Sequence, residues 1–265
     1  MGFSLMVIIT ISKNDITSDL INQYPILILN IYRNDFMTLK HFSQKIKDLL
    51  SSRFKDHYYI LPYSYSRILK LFRAFTFKGE KYGYFYHKYN EAWGNERSVE
   101  IPIIKKYVDE YNCDEILEIG NVLSHYFKTC HNVVDKYEKA EGVINQDVVD
   151  YIPTKQYKLI VSISTLEHVG WDEEPKDPEK IFLAIDNLKD CLAKGGTLVV
   201  TMPIGANPYL DDYLKNGKIK FSENYYLKRI SKDNRWVELG SDFIKGSYSS
   251  PYPLANVLFV GIYQK

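Results

Sequence analysis

With 265 residues, 45% hydrophobic and 25% charged, the chain has the make-up of a soluble globular protein, enough for one large α/β domain with an added segment. A net charge of +1 gives no overall field committing it to nucleic acid or to a membrane. The cysteines Cys113, Cys130 and Cys191 are scattered, odd in number and without CxxC spacing, which argues against a disulfide framework or a zinc site and for a reducing compartment.

Residues 1–90 read as an N-terminal extension or lid of mixed α/β character. The apolar runs "LMVIITI" (5–11) and "YPILILNIY" (24–32) are too short to cross a bilayer. No basic segment precedes an apolar core, and Met6 stands where a myristoylation signal wants Ser or Thr, so a cytoplasmic protein is expected. Helical spacing appears in 41–54, at Phe42, Ile46, Leu49 and Leu50. The stretch 40–106 is basic, with Tyr and Phe interleaved. It is either a solvated face over aromatic packing or a surface for an anionic or polymeric substrate.

From residue 91 onward the pattern is that of one domain. A helix is expected over 95–111, with Pro102 interrupting it early. Strands follow at 115–119, 131–135, 142–145, 157–164, 198–203 and 257–263, as near-continuous apolar runs that suit a parallel sheet covered on both faces. Between the fourth and fifth strands, Asp177 can cap a helix and Pro178 fits its first position. Ile181, Ala184, Ile185, Leu188 and Leu192 form its buried stripe, with Lys194 in the last turn and Gly195 ending it. A helix is also expected after the first strand, and 205–256 reads as an insert before the last strand.

Ligands of such sheets lie outside the carboxyl ends of the strands, where the strand order reverses. Acids fall at those ends here: Glu118 beside the first turn, Asp135 after the second strand, Asp147 after the third and Glu167 after the fourth. An acid after the second strand is placed to accept from a ribose diol, and one after the third from an exocyclic amine.

On these residues the stretch from Glu115 to Pro203, about a third of the chain, resembles class I S-adenosylmethionine-dependent methyltransferases. The matching segments, in order, are "LEIG" (117–120), "VVDKYE" (133–138), "INQDVVDYIP" (144–153), "YKLIVSISTLEHVG" (157–170) and "LAKGGTLVVTMP" (192–203). The resemblance implies a doubly wound, Rossmann-like sheet of seven strands in the order 3-2-1-4-5-7-6, the last antiparallel. It implies S-adenosylmethionine as cofactor. No metal is expected: some members hold magnesium with an acid after the fourth strand, but the acids of 172–177 have no clear partner acid after the fifth. Glu118 and Gly120 would belong to the loop that cradles its methionine part. Asp135 would hold the ribose, Asp147 and the Val148 backbone the adenine, and Ser164 and Thr165 would line the sulfonium end.

The family's first motif usually carries three glycines, whereas here its positions read Gly120, Val122 and Ser124. A second glycine lets backbone approach a pyrophosphate. S-adenosylmethionine has none, so Gly120 with Asn121 and Ser124 as donors can suffice. The same departure weighs against a nicotinamide dehydrogenase.

His168 is the nearest candidate for a general base, or else a histidine bonded within its own turn. Glu167 is a second candidate, as base or as a cofactor contact. His125 can reach the cofactor carboxylate or lie on the surface. Arg97 can do the same or pair with Glu100 at i, i+3. Asp172, Glu173 and Glu174 read as a solvated loop, and Trp171 as flanking the acceptor or sealing the cleft. Tyr209, Tyr213, Tyr225 and Tyr226 are candidate wall residues or packing. The expected reaction is methyl transfer to a hydroxyl of a sugar or other small polar metabolite. The alternatives are an RNA or protein methyltransferase using 40–106, and an inactive cofactor-binding protein.

Overall fold

The computed structural model describes residues 73–265, so the apolar runs and the helix expected within 1–72 lie outside the described residues. The first described element is a hairpin of β1 (Ala74–Phe77) and β2 (Glu80–Gly83). Its two-residue turn, Lys78–Gly79, has positive φ at both positions, the geometry whose twist matches that of paired strands. Phe75 and Phe77 pack with Leu227 and Trp236, so this part of the expected extension belongs to the same body as the sheet.

Helix α1 (Arg97–Val108) carries Pro102 in its interior. Proline has no N–H to return to the carbonyl four residues back. That carbonyl, of Ser98, accepts instead from Phe85 N at 2.8 Å, which ties the segment after the hairpin to the helix.

The remaining elements are β3 (Ile116–Ile119), β4 (Asn132–Val134), β5 (Val143–Ile144), β6 (Tyr157–Ile163), α2 (Lys180–Cys191), β7 (Leu192–Pro203), α3 (Pro208–Lys215), β8 (Glu223–Arg229), β9 (Trp236–Gly240) and β10 (Val257–Gln264). The sheet order is β5-β4-β3-β6-β7-β10-β8-β9. The strands from β5 to β7 are parallel, and β10 runs antiparallel to both β7 and β8. This is the expected 3-2-1-4-5-7-6 order with its antiparallel last strand, extended by an eighth strand, β9, on the β8 edge. Two apolar clusters cover the two faces: α2 with Leu117, Ile160, Leu198 and Phe259 on one, α1 with Ile116, Val161 and Val260 on the other. No described helix is long and apolar enough to cross a membrane.

Four expectations are corrected. No α-helix joins β3 to β4, only a turn at Leu123–His125, because the link is about the shortest that can cross between parallel strands. Cys113, just before β3, and Cys130, just before β4, form a disulfide with Cα atoms 5.5 Å apart. Strand pairing brings these cysteines together, which their spacing in sequence does not announce. The 205–256 segment supplies α3, β8 and β9 and so completes the sheet rather than interrupting it. Helix α2 ends at Cys191, not near Lys194, because Leu192 already starts β7.

The stripe of α2 is buried as expected at Ile181, Ala184, Ile185 and Leu188. Leu188 is fully enclosed. Leu188→Ala should cost about 2–5 kcal/mol, read as a lower midpoint in urea; a loss under about 1 kcal/mol would remove α2 from the core.

Candidate functional site

The chain runs outward from β3 to β4 and β5, then crosses back to β6 on the other side of β3. At this reversal Gly120 follows β3 and Thr165 follows β6. They touch so closely that a Cβ built on Gly120 would lie 2.1 Å from Thr165 Oγ1, and the φ of Gly120 is +83°. Both facts require glycine there.

Glu118, two residues earlier, is completely buried. Its Oε1 accepts from Val122 N at 2.9 Å and Leu123 N at 2.8 Å, and its Oε2 lies 2.7 Å from His131 Nε2. The carboxylate thus bends the loop around itself and lines neither cleft described here. The resemblance puts it in the loop that cradles the cofactor, and here its oxygens hold that loop through two amides and His131.

A cleft of about 560 Å³ opens outside these strand ends. Gly120, Asp135, Asp147, Val148 and Thr165 all line it, together with Glu138. Asp135 Oδ1 accepts from Tyr137 N at 2.8 Å and Glu138 N at 2.7 Å, and its Oδ2 accepts from Asn121 N at 3.1 Å. Asn121 Nδ2 donates to Glu138 Oε1 at 2.7 Å, and its Oδ1 accepts from exposed Ser124. Asn121 and Ser124 therefore brace the loop and do not line the cleft. His125 stacks on Tyr89 with ring centroids 4.3 Å apart and reaches Glu138, also away from the cleft.

The strand order, the reversed last strand and a strand-end cleft walled by Gly120, Asp135 and Asp147 coincide here. The fold is that of the class I S-adenosylmethionine-dependent methyltransferases. No protein-family model matches the chain, and no curated relative does. Solved structures of similar methyltransferase fold include the N-methyltransferase NodS from Bradyrhizobium japonicum WM9 in complex with S-adenosyl-L-homocysteine, 14% identical over 64% of this chain and 87% of that one, TM-score 0.40. A SAM-dependent methyltransferase from Archaeoglobus fulgidus is 14% identical over 67% and 98%, TM-score 0.41. The sugar N-methyltransferase KedS8 from Streptoalloteichus sp ATCC 53650 is 13% identical over 72% and 97%, TM-score 0.36. These likenesses are remote and carry no weight on reaction or acceptor.

A second cleft of about 340 Å³ is lined by Glu96, Arg97, Ser164, Glu167, Trp171 and Tyr248 among others. His168 and Asp172 line both clefts. His168 Nδ1 lies 2.5 Å from Asp172 Oδ2, which leaves Nε2 as the outer ring nitrogen. Of the two readings of Arg97, the structure has the ion pair: its NH1 is 2.6 Å from Glu100 Oε2. Ser164 donates to Glu100 Oε1 at 2.5 Å and so lines the second cleft, not the first. Among the tyrosines named as walls, Tyr213 packs on Phe182, Tyr226 on Phe259, Tyr225 on Phe77 and Tyr209 on Trp171; none lines either cleft.

The loop after β6 is not merely solvated. Glu173 joins Asp147, Lys136 and Lys180 in one network in the wall of the first cleft: Lys180 Nζ is 2.6 Å from both carboxylates, and Lys136 Nζ is 2.8 Å from Asp147. Neither lysine was a candidate in the sequence. One signal existed: Lys180 opens α2, where a cation opposes the helix dipole unless acids hold it. For Asp172 the signal was its i, i+4 spacing from His168.

Burial alone would raise the Asp147 carboxyl, but the ammonium groups of Lys136 and Lys180 outweigh it and hold it at about 2. A depressed carboxyl adds stability that is full above its unfolded value of about 3.9 and is lost as pH falls through the folded one. Asp147→Asn should therefore be less stable than the parent near neutral pH. The gap in urea midpoint should close between about pH 4 and pH 2; a constant gap across that window would contradict the network.

Proposed function

We propose that the chain transfers a methyl group from S-adenosylmethionine, held in the first cleft, to a small polar molecule held in the second. The observation that carries this is the pair His168–Asp172, which stands in the walls of both clefts at once. A group shared by two adjoining sites is placed to act where two ligands meet.

The residues suit the cofactor. Asp135 and Glu138 offer carboxylate oxygens to ribose hydroxyls, Asp147 accepts from the adenine amine, the Val148 backbone meets the ring edge, and Ile119, Val134 and Val169 give it apolar walls. Gly120 and Thr165 mark the sulfonium end. A single-glycine loop fits an adenosyl ligand that lacks a pyrophosphate. S-adenosylmethionine supplies a methyl group on a sulfonium sulfur. The chain's own residues align the acceptor, keep water out and take its proton. His168 Nε2 is that base, with Asp172 fixing the ring through Nδ1. A base serves the hydroxyl acceptor that the sequence favoured, and a protonated amine equally.

In the described part of the basic stretch, Lys78, Lys105 and Lys106 pair with Glu223, Asp109 and Glu80. That pairing supports a solvated face over a nucleic-acid surface.

Calorimetry with S-adenosylmethionine should show binding, weakened by about 1–3 kcal/mol in Asp135→Ala. With tritiated methyl donor and cell extract, His168→Ala should lower transfer by about 10²–10⁴-fold while cofactor affinity is nearly unchanged. Binding without labelled product would mean an inactive cofactor-binding protein, and no binding would remove the reading altogether.

A further inference from the structure

The second cleft has an unbalanced wall. Among its described residues, Arg97 is the one lysine or arginine, and Glu100, fully buried behind it, already neutralises it at 2.6 Å. Of the carboxyl groups in this wall Asp172 is held by His168, and two buried ones remain, Glu96 and Glu167, 7% and 2% exposed. Glu96 Oε2 accepts a long bond from Ala255 N, at 3.3 Å. Glu167 Oε1 lies 3.7 Å from His168 Nε2, and its Oε2 has no hydrogen-bond partner among the described residues. A buried carboxyl oxygen without a donor is costly and calls for an explanation. At the wall of an open cleft, a ligand donor is the simplest one.

Building on the methyl-transfer reading, we infer that the acceptor is an amine, held as an ammonium by Glu167 and Glu96 and methylated on nitrogen. An ammonium brings up to three donors and a positive charge to two acid groups, whereas a hydroxyl brings one donor and none. Burial, and then the neighbouring Glu100, push the Glu167 carboxyl well above the usual carboxylate range. An adjacent cation favours the charged form and reverses that push. His168 Nε2 takes one ammonium proton and frees the nitrogen lone pair. That pair forms the new N–C bond as the methyl carbon's bond to sulfur breaks, its electrons remaining on sulfur. The product leaves as an N-methylammonium, and His168 returns its proton to water.

The test uses the full chain, tritiated-methyl S-adenosylmethionine and the small-molecule fraction of a cell extract, with and without prior acetylation of its amines by sulfosuccinimidyl acetate. Label should appear in a product retained on cation exchange and should vanish after acetylation. With the acceptor purified, Glu167→Gln should raise its KM by at least about tenfold, the loss of one charge-assisted hydrogen bond. Cofactor affinity by calorimetry should not change, which also reports an intact fold. Equilibrium dialysis of the purified product, independent of turnover, should show the same loss. Label that survives acetylation, or a Glu167→Gln enzyme with unchanged KM and product binding, overturns the amine assignment and leaves methyl transfer standing. Absence of cofactor binding or of any labelled product overturns methyl transfer, and the amine with it.

Discussion

The buried carboxylate of Glu118 is the constraint on which the first cleft depends. A charge with no access to water needs partners on every lone pair it can reach. Glu118 finds them in two loop amides and in His131 at the start of β4. The loop cannot move without breaking those bonds, so Gly120 stays against Thr165 and Asn121 stays in reach of Asp135 and Glu138. The walls of the cleft at β3 and at β4 are thus one hydrogen-bonded unit. The Cys113–Cys130 disulfide fastens the same two strands at their amino ends. The short link between them carries no helix and holds its shape through these ties.

On the far side of the cleft the restraint is electrostatic. Asp147 follows β5, Lys136 follows β4, Glu173 lies in the loop after β6 and Lys180 opens α2. Four charges of alternating sign therefore join four separate segments around one rim. Isolated surface pairs contribute little, but a network with several partners per charge holds a loop in place more effectively. Asp147 keeps Oδ1 turned to a single backbone donor, Val149 N at 3.2 Å, so the network leaves it capacity to accept from a ligand.

The central strands were legible because β3, β6 and the second half of β7 are buried on both faces and read as near-continuous apolar runs. β8 and β9 were not, since "ENYYLKR" and "WVELG" mix buried and half-exposed positions and the tyrosines in β8 look the same whether they wall a cleft or pack a sheet. The acids at strand ends were legible by position, and Asp135 and Asp147 do line one cleft. Glu118 had the right type and place but the wrong partner: His131 faces it only once β3 and β4 pair, thirteen residues on. The same pairing hid the disulfide. Lys136 and Lys180 escaped because each looked like an ordinary surface lysine until Asp147 and Glu173 were beside them.

The single glycine of the first loop can now be explained by its backbone. A glycine is required where φ is positive or where a Cβ would collide. Among the described residues from β3 to β4, positive φ occurs at Gly120 alone, and the collision is there as well. Val122, where the family pattern has a second glycine, sits at φ −106° and ψ −47°, which any residue adopts, and its side chain packs against the apolar cluster under α1. Ser124, where a third would stand, lies in the turn at Leu123–His125 and donates to Asn121 Oδ1. Glycine at 122 would give up apolar contact, and at 124 a hydrogen bond, without relieving any strain. The loop is therefore complete with one glycine, because Glu118 supplies through its carboxylate the curvature that extra glycines supply through backbone freedom.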